Sequence, residues 1–262
     1  MSPRRAIPAF LALAAFLGGA AAAAAGPPRV LWSSGGETGD LSSWGEGGGG
    51  GIYNSGTGTV RVQRALVRSG SYAFASTITG ADPGNGSQAT RLFRWQTASG
   101  DPLPLDADYG VWLYFARRVR PAQYWNVFQW KTKISPDRVD PTFVVGVDAR
   151  PSGHMYLWLW DAIARRDRGR ASINLPVGRW VHLEARYRWS TTHTGRVKVW
   201  QDGRAILGAG GVRTALPSRD NFRRSWSVDN YTNGIAPSHV TIFSDDASIS
   251  LGRVGAAWRA PR

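Results

Sequence analysis

Short alternating segments between turn residues run along most of the chain, and they restrict its fold more than any other feature. Within residues 179–189, the apolar Val181, Leu183, Ala185 and Tyr187 alternate with polar and charged residues. This period of two places the apolar side chains on one face of a β-strand. An Asp-Gly pair at 202–203 follows the next such segment, and Asp-Gly between alternating segments predicts a hairpin. The chain is therefore expected to be all-β and antiparallel.

Further strands are predicted at spacings that are typical of a two-sheet sandwich. They cover residues 29–32, 60–64, 72–78, 110–119, 124–134, 143–149, 154–160, 195–200, 226–231, 240–243 and 247–251. The glycine run at 47–51 and the cluster at 80–86 are expected to form loops. Residues 161–170 are expected to form a helical turn or a loop. No internal repeat or second domain is evident.

Residues 1–25 have the composition of an export signal. Arg4 and Arg5 precede an Ala-rich apolar run that ends in small residues suited to cleavage near Ala25. The residues after the arginine pair match a twin-arginine signal weakly, so the general secretory route is favoured. We therefore predict a protein secreted to the extracellular space or the periplasm, with one domain over residues 26–262.

The chain has no cysteine, which excludes thiol catalysis and Cys-ligated metal centres. Its formal net charge is +14, and a basic surface attracts polyanions. All but three of the 32 basic residues are arginines, so compositional bias of a GC-rich genome explains the charge equally well. No nucleic-acid motif accompanies the charge. The expected partner is an acidic polysaccharide, with no nucleic acid and no membrane, and the protein is expected to be a monomer.

Four stretches together suggest a family. They are residues 39–44 (GDLSSW), 125–131 (WNVFQWK), 180–203 with its aromatic-x-Asp-Gly hairpin, and 243–249 (FSDDASI). In this order they resemble the concanavalin A-like lectin/glucanase superfamily, and more narrowly the heparin lyase I-like and glucuronan lyase-like polysaccharide lyases. The resemblance implies a jelly-roll β-sandwich of two antiparallel sheets that acts on an acidic polysaccharide by β-elimination.

Elimination from a uronate needs a group that neutralises the C5 carboxylate, a base for the C5 proton and an acid for the leaving oxygen. The resemblance implies that these groups lie on the concave sheet, on an Arg strand, a Gln-x-His strand and a late Tyr strand. It assigns Gln129 to carboxylate neutralisation, assisted by Arg94 or Arg91, and Tyr231 to acid–base chemistry. Lys131 stands where the pattern has His, and it is assigned to charge stabilisation because an exposed lysine is a poor base.

Additional substrate contacts are expected from basic and aromatic side chains near those residues: Arg91, Lys133, Trp125 and Trp158. Alternation puts Gln129, Lys131 and Lys133 on one face of their strand, with Trp125 beyond them. The same face without catalysis describes a carbohydrate-binding or adhesion module, which remains the alternative. A glucanase-type hydrolase needs paired carboxylates about 5 Å apart. After the signal only Glu37, Glu46 and Glu184 remain as glutamates, with no carboxylate at the offset that such enzymes use.

No cofactor is required for this chemistry. The metal that the resemblance implies is a structural calcium, held by Asp246 beside Asp245 and by Glu37 or Asp40, since calcium prefers oxygen ligands. The alternative is that the two late aspartates accept hydrogen bonds from backbone amides in a turn.

Overall fold

The computed structural model describes residues 27–79, 86–218 and 223–261. These described residues form seventeen strands, one short helix (α1, Ser42–Gly45) and one 3-10 turn. The predicted signal at 1–25 and most of the turn cluster at 80–86 lie outside the described residues. Among the described residues, no helix is long and apolar enough to cross a membrane.

The first sheet has eight strands, all paired antiparallel. Its spatial order is β14-β13-β12-β6-β17-β4-β3, and β1 also pairs with β17. Their bounds are β1 Arg29–Ser34, β3 Thr59–Gln63, β4 Ala73–Ile78, β6 Asp106–Phe115, β12 Trp180–Arg188, β13 Gly195–Gln201, β14 Arg204–Val212 and β17 Val240–Leu251.

The second sheet has seven antiparallel strands in the order β11-β10-β9-β8-β15-β5-β2. Their bounds are β2 Gly50–Ser55, β5 Gln88–Arg94, β8 Trp125–Ser135, β9 Arg138–Ala149, β10 Met155–Asp161, β11 Arg166–Arg170 and β15 Arg223–Thr232. The helix α1 covers Ser42–Gly45, and a short ribbon joins β7 (Arg120–Pro121) to β16 (Ile235–Ala236).

An aromatic core lies between the two sheets. The rings of Trp130 from one sheet and Tyr187 from the other stack with centroids 4.5 Å apart. The ring of Trp226 is tilted against that of Trp44, with centroids 5.9 Å apart, and meets the ring of Phe128 edge-on at 5.1 Å. Each fully buried ring of this size contributes on the order of 2 kcal/mol of apolar burial, so the core stabilises the sandwich without disulfides.

The predicted all-β sandwich of two antiparallel sheets, a jelly-roll architecture, is confirmed. Two local predictions are wrong. Residues 161–170, expected as a helical turn or loop, contain the edge strand β11, which pairs with β10. Residues 240–251 form one strand rather than two, because a bulge between Asp245 and Ser248 absorbs the irregularity in its pairing with β6.

Candidate active site

The outward face of the seven-stranded sheet gathers polar side chains from its central strands. On β8, Phe128 and Trp130 point into the core, so Gln129 and Lys131 point outward. On β15, the core positions are Trp226 and Val228. The outward-facing polar residues of the neighbouring strands β8, β15 and β5 include Gln129, Lys131, Lys133, Ser227, Asp229, Tyr231 and Arg91.

Two cavities of about 680 and 490 Å³ adjoin on this face and together form the groove. Gln129 and Tyr231 line the larger cavity, whereas Arg91, Lys131 and Lys133 line the smaller one. The cavities meet where the Arg91 guanidinium lies 4.4 Å from the centre of the Tyr231 ring. With Trp158, which also lines the larger cavity, six of the sequence-predicted site residues therefore line one continuous surface.

A buried charge cluster lies in this surface. The Nε of Arg91 is 3.9 Å from Oδ1 of Asp229, and β5 and β15 place the two residues directly opposite each other. Neither carboxylate oxygen of Asp229 accepts a hydrogen bond from the described chain, and the same holds for Oε1 of Gln129. Buried polar atoms are nearly always paired, so three unpaired oxygens close together are unusual and mark a polar site beneath the groove surface.

Burial and neighbouring charges change how the cluster titrates. Burial, and next the positive charge of Arg91, lower the pKa of Lys131 to about 8, against the opposing effect of Asp229. Burial raises the pKa of Asp229, and Arg91 and Lys131 oppose that rise. Near neutral pH a usable fraction of the Lys131 amine is therefore uncharged, which gives this lysine the capacity to accept a proton.

Two tyrosines stand at the other side of Arg91. The rings of Tyr124 and Tyr231 contact edge-on at 5.3 Å, and both hydroxyls approach the Oγ of Ser87, at 2.7 and 3.4 Å. Burial raises the pKa of Tyr124 to about 12, so it stays protonated. Arg91 also lies 5.2 Å from the ring centre of Tyr53, which borders the groove on β2.

Aromatic side chains line the far end of the groove. On β10, Tyr156, Trp158 and Trp160 share the outward face, as their alternation predicts. Gly146 on β9 lies directly beneath Trp158, and a Cβ atom at that position would collide with the indole. The Tyr156 hydroxyl donates to Asp148 at 2.8 Å. Flat rings on an open face can stack against sugar rings.

The expected position of Arg94 is wrong. Its side chain is completely buried and faces the core side of β5, where it donates to backbone carbonyls. The acceptors are the oxygens of Trp44, Glu46, Gln96 and Thr97, at 2.9 to 3.2 Å. Arg91 and Arg94 are three residues apart, and a strand places such residues on opposite faces. Of the two arginines, only Arg91 reaches the groove.

The expected position of Trp125 is also wrong. It is fully buried in the core, where its Nε1 donates to Oδ1 of Asn230 at 2.9 Å. A bulge between Asn126 and Phe128 inserts Val127 as an extra residue and reverses the alternation before it. Asn126 consequently takes the outward position and lines the groove beside Gln129.

The carboxylates predicted to bind calcium have protein donors. Both oxygens of Glu37 accept hydrogen bonds from backbone amides, Oε1 from Ser71 and Tyr72 and Oε2 from Ser71. Asp246 accepts from the Ser69 hydroxyl and from the backbone amide of Ala260. In the part of the chain that the structure describes, no three His, Cys, Asp or Glu side chains form a metal cluster. These donor contacts fit the turn alternative, while the calcium site stays a prediction.

Sequence reasoning overlooked several groove residues: Tyr53, Tyr124, Asn126, Ser227 and Asp229. The positions of Asp229 and Ser227 could be predicted from the sequence, because alternation places them on the same face of their strand as Tyr231. The position of Asn126 could not, because the bulge changes the face on which it lies. Tyr53 and Tyr124 approach the groove from other segments and carry no local signal.

Comparison with known proteins identifies the family of this chain. The model of the family described as polysaccharide lyase matches residues 36–224, more than two thirds of the chain. The chain belongs to the polysaccharide lyase family. The matched range includes Arg91, Gln129 and Lys131 and ends before Asp229 and Tyr231. No curated protein sequence matches this chain.

Several solved structures share the fold of this chain. An endo-β-1,4-glucuronan lyase from the fungus Trichoderma reesei has a TM-score of 0.63 at 15% identity, covering 85% of this chain and 96% of its own. The alginate lyase Aly36B, bound to an alginate trisaccharide, has a TM-score of 0.57 at 11% identity, covering 87% of this chain and 99% of its own. An alginate lyase from Aplysia kurodai has a TM-score of 0.54 at 12% identity, covering 84% of this chain and 98% of its own. At these identities the likeness concerns the fold.

Proposed function

We propose that the protein cleaves an acidic, uronate-containing polysaccharide by β-elimination in the groove. The observation that carries the proposal is the buried cluster of Arg91, Asp229 and Lys131 beside Gln129 and Tyr231, on the open face of a polysaccharide lyase fold. Cations and the N–H groups of the Gln129 amide suit a carboxylated sugar, and an amine with a pKa of about 8 suits proton abstraction.

Arg91 and Gln129 neutralise the substrate carboxylate, which makes the C5 proton acidic and stabilises the charge that develops on the carboxylate oxygens. The uncharged amine of Lys131 accepts the C5 proton. The electron pair of the C5–H bond forms the C4=C5 double bond while the C4–O bond breaks. The hydroxyl of Tyr231 gives its proton to the leaving oxygen. Solvent returns a proton to Tyr231 and removes one from Lys131.

Two similar structures support an acidic substrate. One is the glucuronan lyase already described. The other is a variant of the alginate lyase Aly36B, solved with an alginate tetrasaccharide.

The test is the ultraviolet absorbance of the unsaturated uronate, followed with polyglucuronate, alginate and heparin-like chains. Wild type is compared with Gln129→Ala, Lys131→Ala and Lys131→Arg. Arginine keeps the positive charge but does not lose its proton at working pH. Loss of turnover in both Lys131 variants supports a base, whereas activity retained in Lys131→Arg assigns the residue to charge stabilisation instead.

Absence of the absorbance on every polymer, together with binding of the polymer, would show a carbohydrate-binding module and overturn the proposal. Equal activity of Gln129→Ala and wild type would remove Gln129 from the site. Both results require that the variants are folded, which circular dichroism establishes.

We further propose that the protein is exported and acts outside the cytoplasm, as the basic and apolar character of residues 1–25 indicates. N-terminal sequencing of protein recovered from the medium or periplasm tests this. A mature chain that starts near Gly26 is expected, and an uncleaved chain in the cytoplasm would contradict it.

A further inference from the structure

A second basic surface lies on the opposite side of the sandwich from the groove. On β13, Val197 and Val199 pack into the core, so Arg196, Lys198 and Trp200 face outward from the eight-stranded sheet. A shallow cavity of about 890 Å³ extends over this area and over β14. Its basic lining consists of Arg186, Arg196, Lys198 and Arg253.

Like charges are paired in register on this surface. Arg186 on β12 lies opposite Lys198, and Arg188 lies opposite Arg196. Like charges directly across a strand pair destabilise a sheet. Arg186 has ion pairs with Asp106 and Asp108, but among the described residues no carboxylate pairs with Arg188, Arg196 or Lys198.

The neighbouring strand leaves these cations open. Gly208 and Gly210 on β14 lie opposite Lys198 and Arg196, so β14 places no side chain beside these two cations. A Cβ atom at Gly210 would meet no other atom within 4 Å. Beneath the cations, Trp200 lies 5.3 Å from the Lys198 amine and 4.2 Å from the Arg253 guanidinium. The cation–π contact orients the Lys198 amine, whereas Arg253 is also held by an ion pair with Glu184.

We propose that this surface is a second, non-catalytic binding site for an acidic polysaccharide chain. Guanidinium groups pair with carboxylates through two parallel hydrogen bonds. A polymer with one carboxylate per sugar would neutralise Arg188, Arg196 and Lys198, which have no carboxylate partner among the described residues. Single-stranded nucleic acid is less suitable because its bases stack on exposed aromatic rings, and Trp200 is covered by two cations. The proposal rests on the proposed acidic substrate.

The experiment measures polyglucuronate binding by calorimetry in a Lys131→Ala background, which prevents turnover during the titration. The surface variant is Arg196→Ala with Lys198→Ala. The matched control is Arg61→Ala with Arg118→Ala, which removes the same charge from exposed positions outside both surfaces. The surface variant is expected to bind about tenfold more weakly, whereas the control changes less than about twofold.

A second readout uses the chain with Lys131 intact. Cleavage of a tetrasaccharide, which is too short to reach the opposite sheet, is expected to be unchanged in the surface variant. Arg196→Gln with Lys198→Gln repeats both measurements in case the alanine variant does not fold.

Equal loss of affinity in the surface and control variants would reduce the effect to overall charge and overturn the proposal. A larger loss for duplex DNA than for polyglucuronate would identify a nucleic-acid surface and also overturn it. Absence of elimination product from all proteins would contradict the proposed function but leave the binding comparison valid.

Discussion

The pH dependence of turnover is expected to follow the Lys131 amine. Its pKa falls from 10.5 to about 8, chiefly through burial. At pH 7 this raises the uncharged fraction from roughly 1 in 3,000 to roughly 1 in 10, a gain of about 300-fold in active base. Turnover should therefore rise about tenfold per pH unit below pH 8 and level off above it.

Asp229→Asn should shift that rise to lower pH. The carboxylate of Asp229 favours the charged amine, so its removal lowers the pKa of Lys131 further. Arg91→Met should shift the rise to higher pH, because the Arg91 charge opposes protonation of Lys131.

The assay is the initial rate of unsaturated uronate formation between pH 6 and 10, at saturating substrate. Asp148→Asn is the matched control: this acidic residue lies in the same groove, where it accepts a hydrogen bond from Tyr156 rather than acting on Lys131. The reasoning would be refuted if the rise in rate stayed at the same pH or moved to higher pH in Asp229→Asn. An unchanged pH profile in Lys131→Arg would also refute it.

Further expectations concern stability and substrate binding. Because the pKa of Lys131 is lower in the folded chain, protonation penalises the fold at every pH below about 8, and the penalty fades as the pH approaches 10.5. Lys131→Met should therefore raise the free energy of unfolding by up to about 3 kcal/mol at pH 7 in urea denaturation, with little gain at pH 10.5. Arg94→Met should lower it by about 3 kcal/mol or more, since four carbonyls lose a charged donor, with KM of the folded fraction unchanged. Trp125→Ala should cost about 3 to 5 kcal/mol in the same measurement, whereas Trp158→Ala should mainly raise KM, and the reverse pattern would restore the original assignment of Trp125. Gly146→Ala should raise KM as Trp158→Ala does, because the added methyl displaces the indole, and an unchanged KM would separate Trp158 from substrate.

The sheet architecture was predictable because alternation and turn chemistry act locally. The faces of individual residues were predictable only where the alternation is unbroken. Between Arg91 and Arg94 the pattern is ambiguous, because Leu92 and Phe93 are both apolar and adjacent, and only Leu92 packs into the core. The bulge at Val127 has no local signal, because it depends on the pairing of β8 with β9.

The chemistry of the site was harder to predict from the sequence than its location. Lys131 stands where the family pattern has histidine, and its residue type alone indicates a protonated side chain. Its lowered pKa depends on burial and on Arg91 and Asp229, which come from strands distant in sequence. Such shifts become visible only after the strands are assembled.

The interior position of Arg94 also explains part of the glycine run. A Cβ atom at Gly49 would press against the guanidinium group, and one at Gly50 would collide with the backbone oxygens of Phe93 and Trp44 and then with the Arg94 side chain, so these two positions accept only the smallest residue. The same arginine fastens the turn before β2 to the segment after β5. Tyr53, four residues downstream, borders the groove from that strand. The rim of the groove is thus anchored from inside the sandwich, and randomising the glycine run to alter substrate preference would loosen the rim before it changed the surface offered to the sugar.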